Sequence, residues 1–194
     1  TPDTGVYVGT TLTCSATATD DDDGTITPTY EWSVNGTSIG TGASYTVDAT
    51  DVDVADDIVC TATATDNNGD TATTTDSVLV DNTNPTITAS ISANGSTNTG
   101  ELTCTATASD VDDDPTTPTI NYEWFDGNGS SLGTANPLQL NTTIGVDGDS
   151  IICEAIATDL SGGTATTTAT HTIANTPPEV LTIEIVSANP TVNT

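Results

Sequence analysis

The chain has 194 residues, 28 of them acidic, with no Lys or Arg and one His, giving a formal net charge of -28. With nothing to neutralise phosphates, nucleic acid and anionic membrane surfaces are excluded as partners, and no apolar run is long enough for a membrane span. The hydrophobic fraction is 34%, with one Phe and no Met, so any core is thin and the carboxylates must be balanced by solvent cations, bound divalent ions or a basic partner.

In chain order, residues 1–13 lead into the first clear strand, with Gly5–Gly9 a short leading-strand candidate. The next strand covers 10–19. Successive side chains of a strand point to opposite faces, so Cys14, Ala16 and Ala18 share one face while the threonines share the other. The acidic run Asp20–Gly24 reads as a loop. A strand over 28–34 turns Tyr30 and Trp32 inward and leaves Glu31 in water, and Asn35-Gly36 is a hairpin-turn signal. A short strand at 44–47 precedes an acidic loop with Asp51, Asp53, Asp56 and Asp57. A strand over 58–65 carries Cys60, Ala62 and Ala64 on one face, the turn Asp66–Asp70 follows, and the last strand of the set runs 71–80. The segment Asp81-Asn82-Thr83-Asn84-Pro85 is a linker, since Pro85 has no N–H to extend a ladder.

The second half repeats this plan at a period of about 90 residues, the signature of repeated units. Strands are expected over 86–92, 101–109, 119–125, 137–141, 150–158 and 164–173, with acidic loops at Asp110–Pro115 and at Asp147 and Asp149, and a turn at Asp159–Gly163. Cys14, Trp32 and Cys60 recur as Cys104, Trp124 and Cys153. The phrases CSATATD, CTATATD, CTATASD and CEAIATD open at the four cysteines, and Tyr30-Glu31-Trp32 recurs as Tyr122-Glu123-Trp124. The expected division is a first domain over 1–81 and a second over 82–176. Residues 177–194 follow as a linker and a further strand.

Cysteine, tryptophan, cysteine on Ala-lined alternating strands resembles the immunoglobulin fold, with its B-strand Cys, C-strand Trp and F-strand Cys. The resemblance covers both repeats. It implies an all-β protein of two tandem immunoglobulin-like β-sandwiches, each with one inter-sheet disulfide, Cys14–Cys60 and Cys104–Cys153, closed over Trp32 and Trp124 with Tyr30 and Tyr122 beside them. One departure is plain: the tyrosine expected two residues before the second Cys is Ile58 in one copy and Ile151 in the other. The chain is therefore more similar to the immunoglobulin-like and cadherin-like tandem modules of bacterial surface proteins than to antibody domains. Unpaired buried thiols and a four-thiol zinc site are the alternatives for the cysteines, the latter disfavoured by the absence of any Cys-x-x-Cys. Disulfides imply an oxidising, extracellular or cell-surface setting.

The chemical signal in the loops is calcium, which takes six to eight hard oxygen ligands. The linker Asp81, Asn82 and Asn84 is similar to the Asp/Asn-rich linkers of cadherin-like arrays, and it is expected beside Asp110, Asp112, Asp113, Asp114 and Asp159, with Asp53, Asp56 and Asp57 facing the same junction. Asp20, Asp22 and Asp66 form the equivalent set on the first domain. Neither acidic run satisfies the full EF-hand pattern, and solvated loops that bind nothing are the plain alternative. His171 has no nucleophile in a recognisable motif beside it and reads as a strand residue, so no enzyme is expected. Glycosylation sequons stand at Asn35, Asn94, Asn128 and Asn141.

The tail, TIEIVSANPTVNT over Thr182–Thr194, matches TITASISANGSTNT over Thr86–Thr99. It reads as the first strand of a third repeat, in a segment cut from a longer array, or as a donor strand that pairs with another copy. Either way the sequence suggests self-association into a head-to-tail filament. The expected function is a structural subunit or segment of an extracellular microbial fibre or pilus-like appendage. The alternative is an adhesin, or a carbohydrate-binding or spacer module of a secreted surface protein. With no signal peptide, the chain reads as a mature product or an excised segment.

Overall fold

The computed structural model describes residues 5–95, 97–112, 116–175 and 177–185. Its elements are all strands. In the first half these are β1 (Thr11–Thr13), β2 (Ala18–Asp20), β3 (Gly24–Ile26), β4 (Thr29–Val34), β5 (Thr37–Thr41), β6 (Ser44–Thr46), β7 (Asp57–Thr65) and β8 (Thr71–Leu79). The second half holds β9 (Thr86–Asn94), β10 (Glu101–Ser109), β11 (Thr119–Asp126), β12 (Ser131–Gly133), β13 (Leu138–Gln139), β14 (Ser150–Thr158) and β15 (Thr164–Thr172).

Strand order β12-β11-β14-β15 faces β13-β10-β9 in the second half; in the first, β5-β4-β7-β8 faces β1-β6, with β2-β3 a separate hairpin. Alternation sets what lies between the sheets. Register pairs Trp32 with Cys60 and Tyr30 with Ala62, and likewise Trp124 with Cys153 and Tyr122 with Ala155. Each indole thus lies beside a half-cystine, and both indoles are buried. The disulfides are Cys14–Cys60 and Cys104–Cys153, with Cα atoms 6.5 and 6.3 Å apart, and no free cysteine remains. The thiol and zinc alternatives are therefore set aside. Both halves are immunoglobulin-like β-sandwiches.

Aliphatic residues complete each core: Leu12, Val34, Val47 and Ile58 around Trp32, and Leu102, Leu138, Leu140 and Ile151 around Trp124. Thr rows cover the outer faces, where a β-branched side chain fits the pleat. Asn35-Gly36 makes the tight turn from β4 to β5, with φ of 51° and 79°, the left-handed pair that such a hairpin requires.

Several local expectations change. Residues 5–9 form no strand, although Val6 is buried. The strand expected over 10–19 is broken, because residues 14–17 bond outside a ladder: Cys14 N–H donates to Ala43 O (2.9 Å) and Ala16 N–H to Tyr30 Oη (2.9 Å). The run Asp20–Gly24 is a closed hairpin turn rather than an open loop, because Asp20 Oδ1 accepts the N–H groups of Asp22 (2.8 Å) and Asp23 (3.0 Å). Two short strands, β5 and β12, extend the sheets beyond the expected set. In the tail, residues 177–185 pair with no described strand. The remainder of the expected trailing strand, 186–194, lies outside the described residues.

Candidate functional site: an open strand edge and an acidic loop crown

The two sandwiches differ on one flank. In the second, β9 pairs with β10 over nine positions, from Thr86↔Ser109 to Asn94↔Glu101. Its inward Ala89 and Ile91 pack on the core, and it also lies against β14 and β15. No described strand does this for the first sandwich: β1 pairs with β6 alone. The consequence shows in burial. Strand β15 alternates between exposed and half-buried, whereas β8 is exposed at eight of its nine positions. Ala155 and Ala157 are fully buried, while Ala64, the counterpart of Ala157, is only half-buried.

A cleft of about 150 Å³ opens where β9 has no counterpart, lined by Cys14, Trp32, Ile58, Cys60, Asp76 and Val78. A second cleft is lined by Ala16, Ala18, Ala62, Ala64 and Ala72 together with Thr17, Thr73 and Thr74. Asp76 stands opposite Cys60, where Ala169 stands opposite Cys153. Thr13, Ser15 and Ser77 line the trench as well, and a charge such as Asp76 guards a bare edge against indiscriminate pairing.

At one end of the second sandwich, the loops after β10 and β14 form a crown clasped by the linker. Thr83 donates to Asp112 twice, from its N–H to Oδ2 and from Oγ1 to Oδ1 (3.3 Å). Asn82 Nδ2 donates to Asp159 Oδ2 (3.0 Å), and Gly163 N–H donates to Asp159 Oδ1 (2.7 Å). Asp112 and Asp159 are only 9% and 7% exposed, and Asp110 Oδ1 caps the turn by accepting Asp112 N–H (2.8 Å). Gly163 is required by close approach, since a Cβ there would collide with Asp159 Oδ2, Asn82 Nδ2 and Asn84 Oδ1. The linker holds the first sandwich as well: Asp81 N–H donates to Val6 O (2.6 Å), and Asp81 Oδ2 accepts Gly5 N–H (2.8 Å).

The first sandwich carries the same crown, with no clasp among the described residues. Asp66 Oδ1 accepts the N–H groups of Asn68 (2.9 Å) and Asp70 (2.8 Å), and Asp23 binds Asn67 through both Nδ2 (2.6 Å) and N–H (2.9 Å). Asp22 is exposed, and Asp20 and Asp66 are only half-buried. Asp53 and Asp56 close their own loop, with Asp53 N–H donating to Asp56 Oδ2 (2.9 Å) and Asn35 Nδ2 to Asp56 Oδ1 (3.2 Å). Asp57 opens β7 and is exposed. Asp113 and Asp114 lie outside the described residues.

Of the residues expected to hold calcium, the linker brings Asn82 onto Asp159 and lies over Asp112. Two carboxylates are more than nine-tenths buried in a chain without Lys or Arg, and Asn82 Oδ1 is buried with no hydrogen-bond partner. A buried charge needs pairing or a metal. Among the described residues no three His, Cys, Asp or Glu side chains converge on one point, so an ion here would draw on the Asn82 amide oxygen together with Asp112 and Asp159. The four sequon asparagines, Asn35, Asn94, Asn128 and Asn141, are exposed. Asn141 Oδ1 is engaged by Thr143 N–H (2.9 Å) and Ile144 N–H (3.0 Å).

Two roles escape sequence reading. The hydroxyls of Tyr30 and Tyr122 bridge the sheets by accepting Ala16 N–H (2.9 Å) and Ala106 N–H (3.2 Å). Asn136 forms a two-bond clasp on Cys104, its Oδ1 accepting the N–H (2.9 Å) and its Nδ2 donating to the carbonyl (2.8 Å). Repetition of the Tyr-x-Trp triplet was the available signal for the first; nothing marked the second.

Tyr45 packs against Trp32, with ring centroids 5.9 Å apart. Burial first, then the hydrogen bond it donates to Asp51 Oδ2 (2.9 Å), push its hydroxyl from 10.0 up to about 12. A raised pKa favours the folded state only while the group stays protonated. This contribution is therefore complete below pH 10 and fades as pH rises towards 12. Thermal melts across that window should show the first sandwich weakening, and Tyr45→Phe should flatten the decline; an unchanged slope in the variant would remove Tyr45 as its cause.

No family model matches the chain, and no curated protein does. Among solved structures, the amphioxus IgVJ-C2 molecule is similar, at 16% identity and a TM-score of 0.42, over 86% of this chain and 96% of that one. The immunoglobulin-like fold itself rests on strand order, register and the two disulfides. No helix among the described residues is long and apolar enough to cross a membrane.

Proposed function

We propose that the protein is a structural segment of an extracellular microbial fibre or pilus-like surface appendage, in which immunoglobulin-like sandwiches follow one another head to tail. The observation that carries this reading is the linker, whose consecutive residues bond to both sandwiches: Asp81 to Val6 and Gly5, then Asn82 and Thr83 to Asp159 and Asp112. A linker hydrogen-bonded at both ends transmits load and orientation rather than acting as a loose tether. The disulfides support an oxidising setting outside the cytosol. An adhesive or sugar-binding module would present aromatic side chains, and among the described residues Tyr7, at 41%, is the one aromatic that is exposed.

Electron microscopy of the native material tests the role. Continuous rods of linked beads are the expected image; isolated globules at the surface would overturn it.

Calcium at the clasped crown would stiffen the joint, with Asn82, Asp112 and Asp159 as ligands and the ion supplying the positive charge that the chain lacks. Ligand present at about 100 times its dissociation constant adds roughly 2.7 kcal/mol to the bound fold. Millimolar calcium is thus expected to raise the melting temperature by several degrees, and Asp159→Asn to abolish the increment. Superimposable melts in calcium and in excess chelator would rule the ion out.

A further inference from the structure

We propose that the open flank and uncovered crown of the first sandwich form one docking site for residues 174–189 of a second copy of this chain. This rests on the head-to-tail reading above and names its connector. The second sandwich shows what the site lacks, because there one continuous segment does two jobs. Asn82 and Thr83 cap the crown at Asp159 and Asp112, and β9 then fills the flank beside β10. Among the described residues the first sandwich is missing both together: no linker lies over its equivalents Asp66 and Asp22, and no strand lies in the trench beside Cys14 and Cys60.

The tail carries the same two parts in the same order. Asn175-Thr176-Pro177-Pro178 repeats Asn82-Thr83-Asn84-Pro85, and Thr182-Ile183-Glu184-Ile185 repeats Thr86-Ile87-Thr88-Ala89; the shared Ser-Ala-Asn then comes one residue sooner in the tail, at Ser187–Asn189. Thr176 and residues 186–189 lie outside the described residues and enter by sequence alone. In the register that sets Thr182 on Thr86, alternation puts Ile183 and Ile185 on the face that Ile87 and Ala89 turn towards their own core. In the described tail these isoleucines are 88% and 92% exposed and have no strand partner. An unpaired strand with bare isoleucines and a trench lacking one strand are complementary, and main-chain pairing along the edge supplies the remaining affinity. The tail has three residues, Glu179–Leu181, between its second proline and Thr182, where Pro85 is followed directly by Thr86. That extra length lets it reach a neighbour.

The 194-residue chain tests this directly, by sedimentation at increasing concentration together with the rate at which a phosphine reductant opens each disulfide, read by mass spectrometry. The expected result is concentration-dependent oligomers in which Cys14–Cys60 is reduced about tenfold or more slowly than in dilute monomer, because attack then requires the docked strand to open. Cys104–Cys153, already beneath β9, should not change. Ile183→Asp with Ile185→Asp should keep the chain monomeric and Cys14–Cys60 fast. A synthetic peptide of residues 174–194 should restore protection to that variant. Protection in a monomer at every concentration would mean that the tail folds back on its own chain and would overturn the second-copy assignment. Oligomers that form equally well from the double variant, with Cys14–Cys60 unprotected, would overturn the connector while leaving the filament reading intact. A chain that neither associates nor is protected by the peptide would overturn the docking site outright.

Discussion

Replacing Cys14 and Cys60 together by Ala is expected to cost about 4 kcal/mol and to leave the first sandwich largely unfolded at about 37 °C. The bond closes a separation of 46 residues, and the loss in the chain-entropy account is the loop-closure entropy of the denatured chain. A domain of this size holds only about 5–10 kcal/mol in total, and this one is short of material: its flank is open, Ala64 is half-buried and β8 contributes one buried residue, Val78. The same change at Cys104 and Cys153 removes a similar entropy term from a sandwich with its flank filled, so more of the fold should survive. Urea unfolding of the two double variants, followed by near-ultraviolet circular dichroism, separates them. Equal residual structure in both would mean that the open flank carries no stability deficit.

Trp124→Ala is expected to cost about 3–5 kcal/mol, the usual result of emptying an indole-sized volume in a packed core. The two tryptophans should then part company on milder substitution. Trp32 Nε1 donates to Gly42 O (2.9 Å), so Trp32→Phe loses a hydrogen bond as well as volume and strands a carbonyl, about 1 kcal/mol beyond the packing loss. Trp124 Nε1 is buried without a partner. Trp124→Phe therefore gives up volume but relieves an unmet donor, and should be the gentler of the two. Denaturant midpoints in the opposite order would show that the indole N–H at Trp124 is satisfied in solution.

The reason these residues were legible in the sequence is that alternation is a property of the strand itself. Cys60, Ala62 and Ala64 on one side, with Thr61, Thr63 and Thr65 on the other, announce a buried face before any partner is known. Trp32 and Tyr30 fall on the matching face by the same parity. Strands β5 and β12 escaped because they are short edge strands whose existence depends on the neighbour they pair with, as the broken register between Trp32 and Ser33 illustrates. Asp20–Gly24 looked like an open loop because acids are read as solvated, yet here Asp20 organises a hairpin by accepting backbone N–H groups. The crown residues Asp112 and Asp159 were identifiable as candidates from their place in the repeat, but their burial was not. That burial arises from Asn82 and Thr83 lying over them, a consequence of where the preceding sandwich ends. Only the unpaired edge of β1 gives the open flank a location.

The half-buried Cys14 end of the first disulfide gives a row of such units a direction in time. Each interior bead would have its sulfur bridge roofed by its neighbour, and the bead at one tip would not. Reductants would therefore wear the row from that tip alone, and each newly arriving copy would cover the vulnerable bond of the one before it.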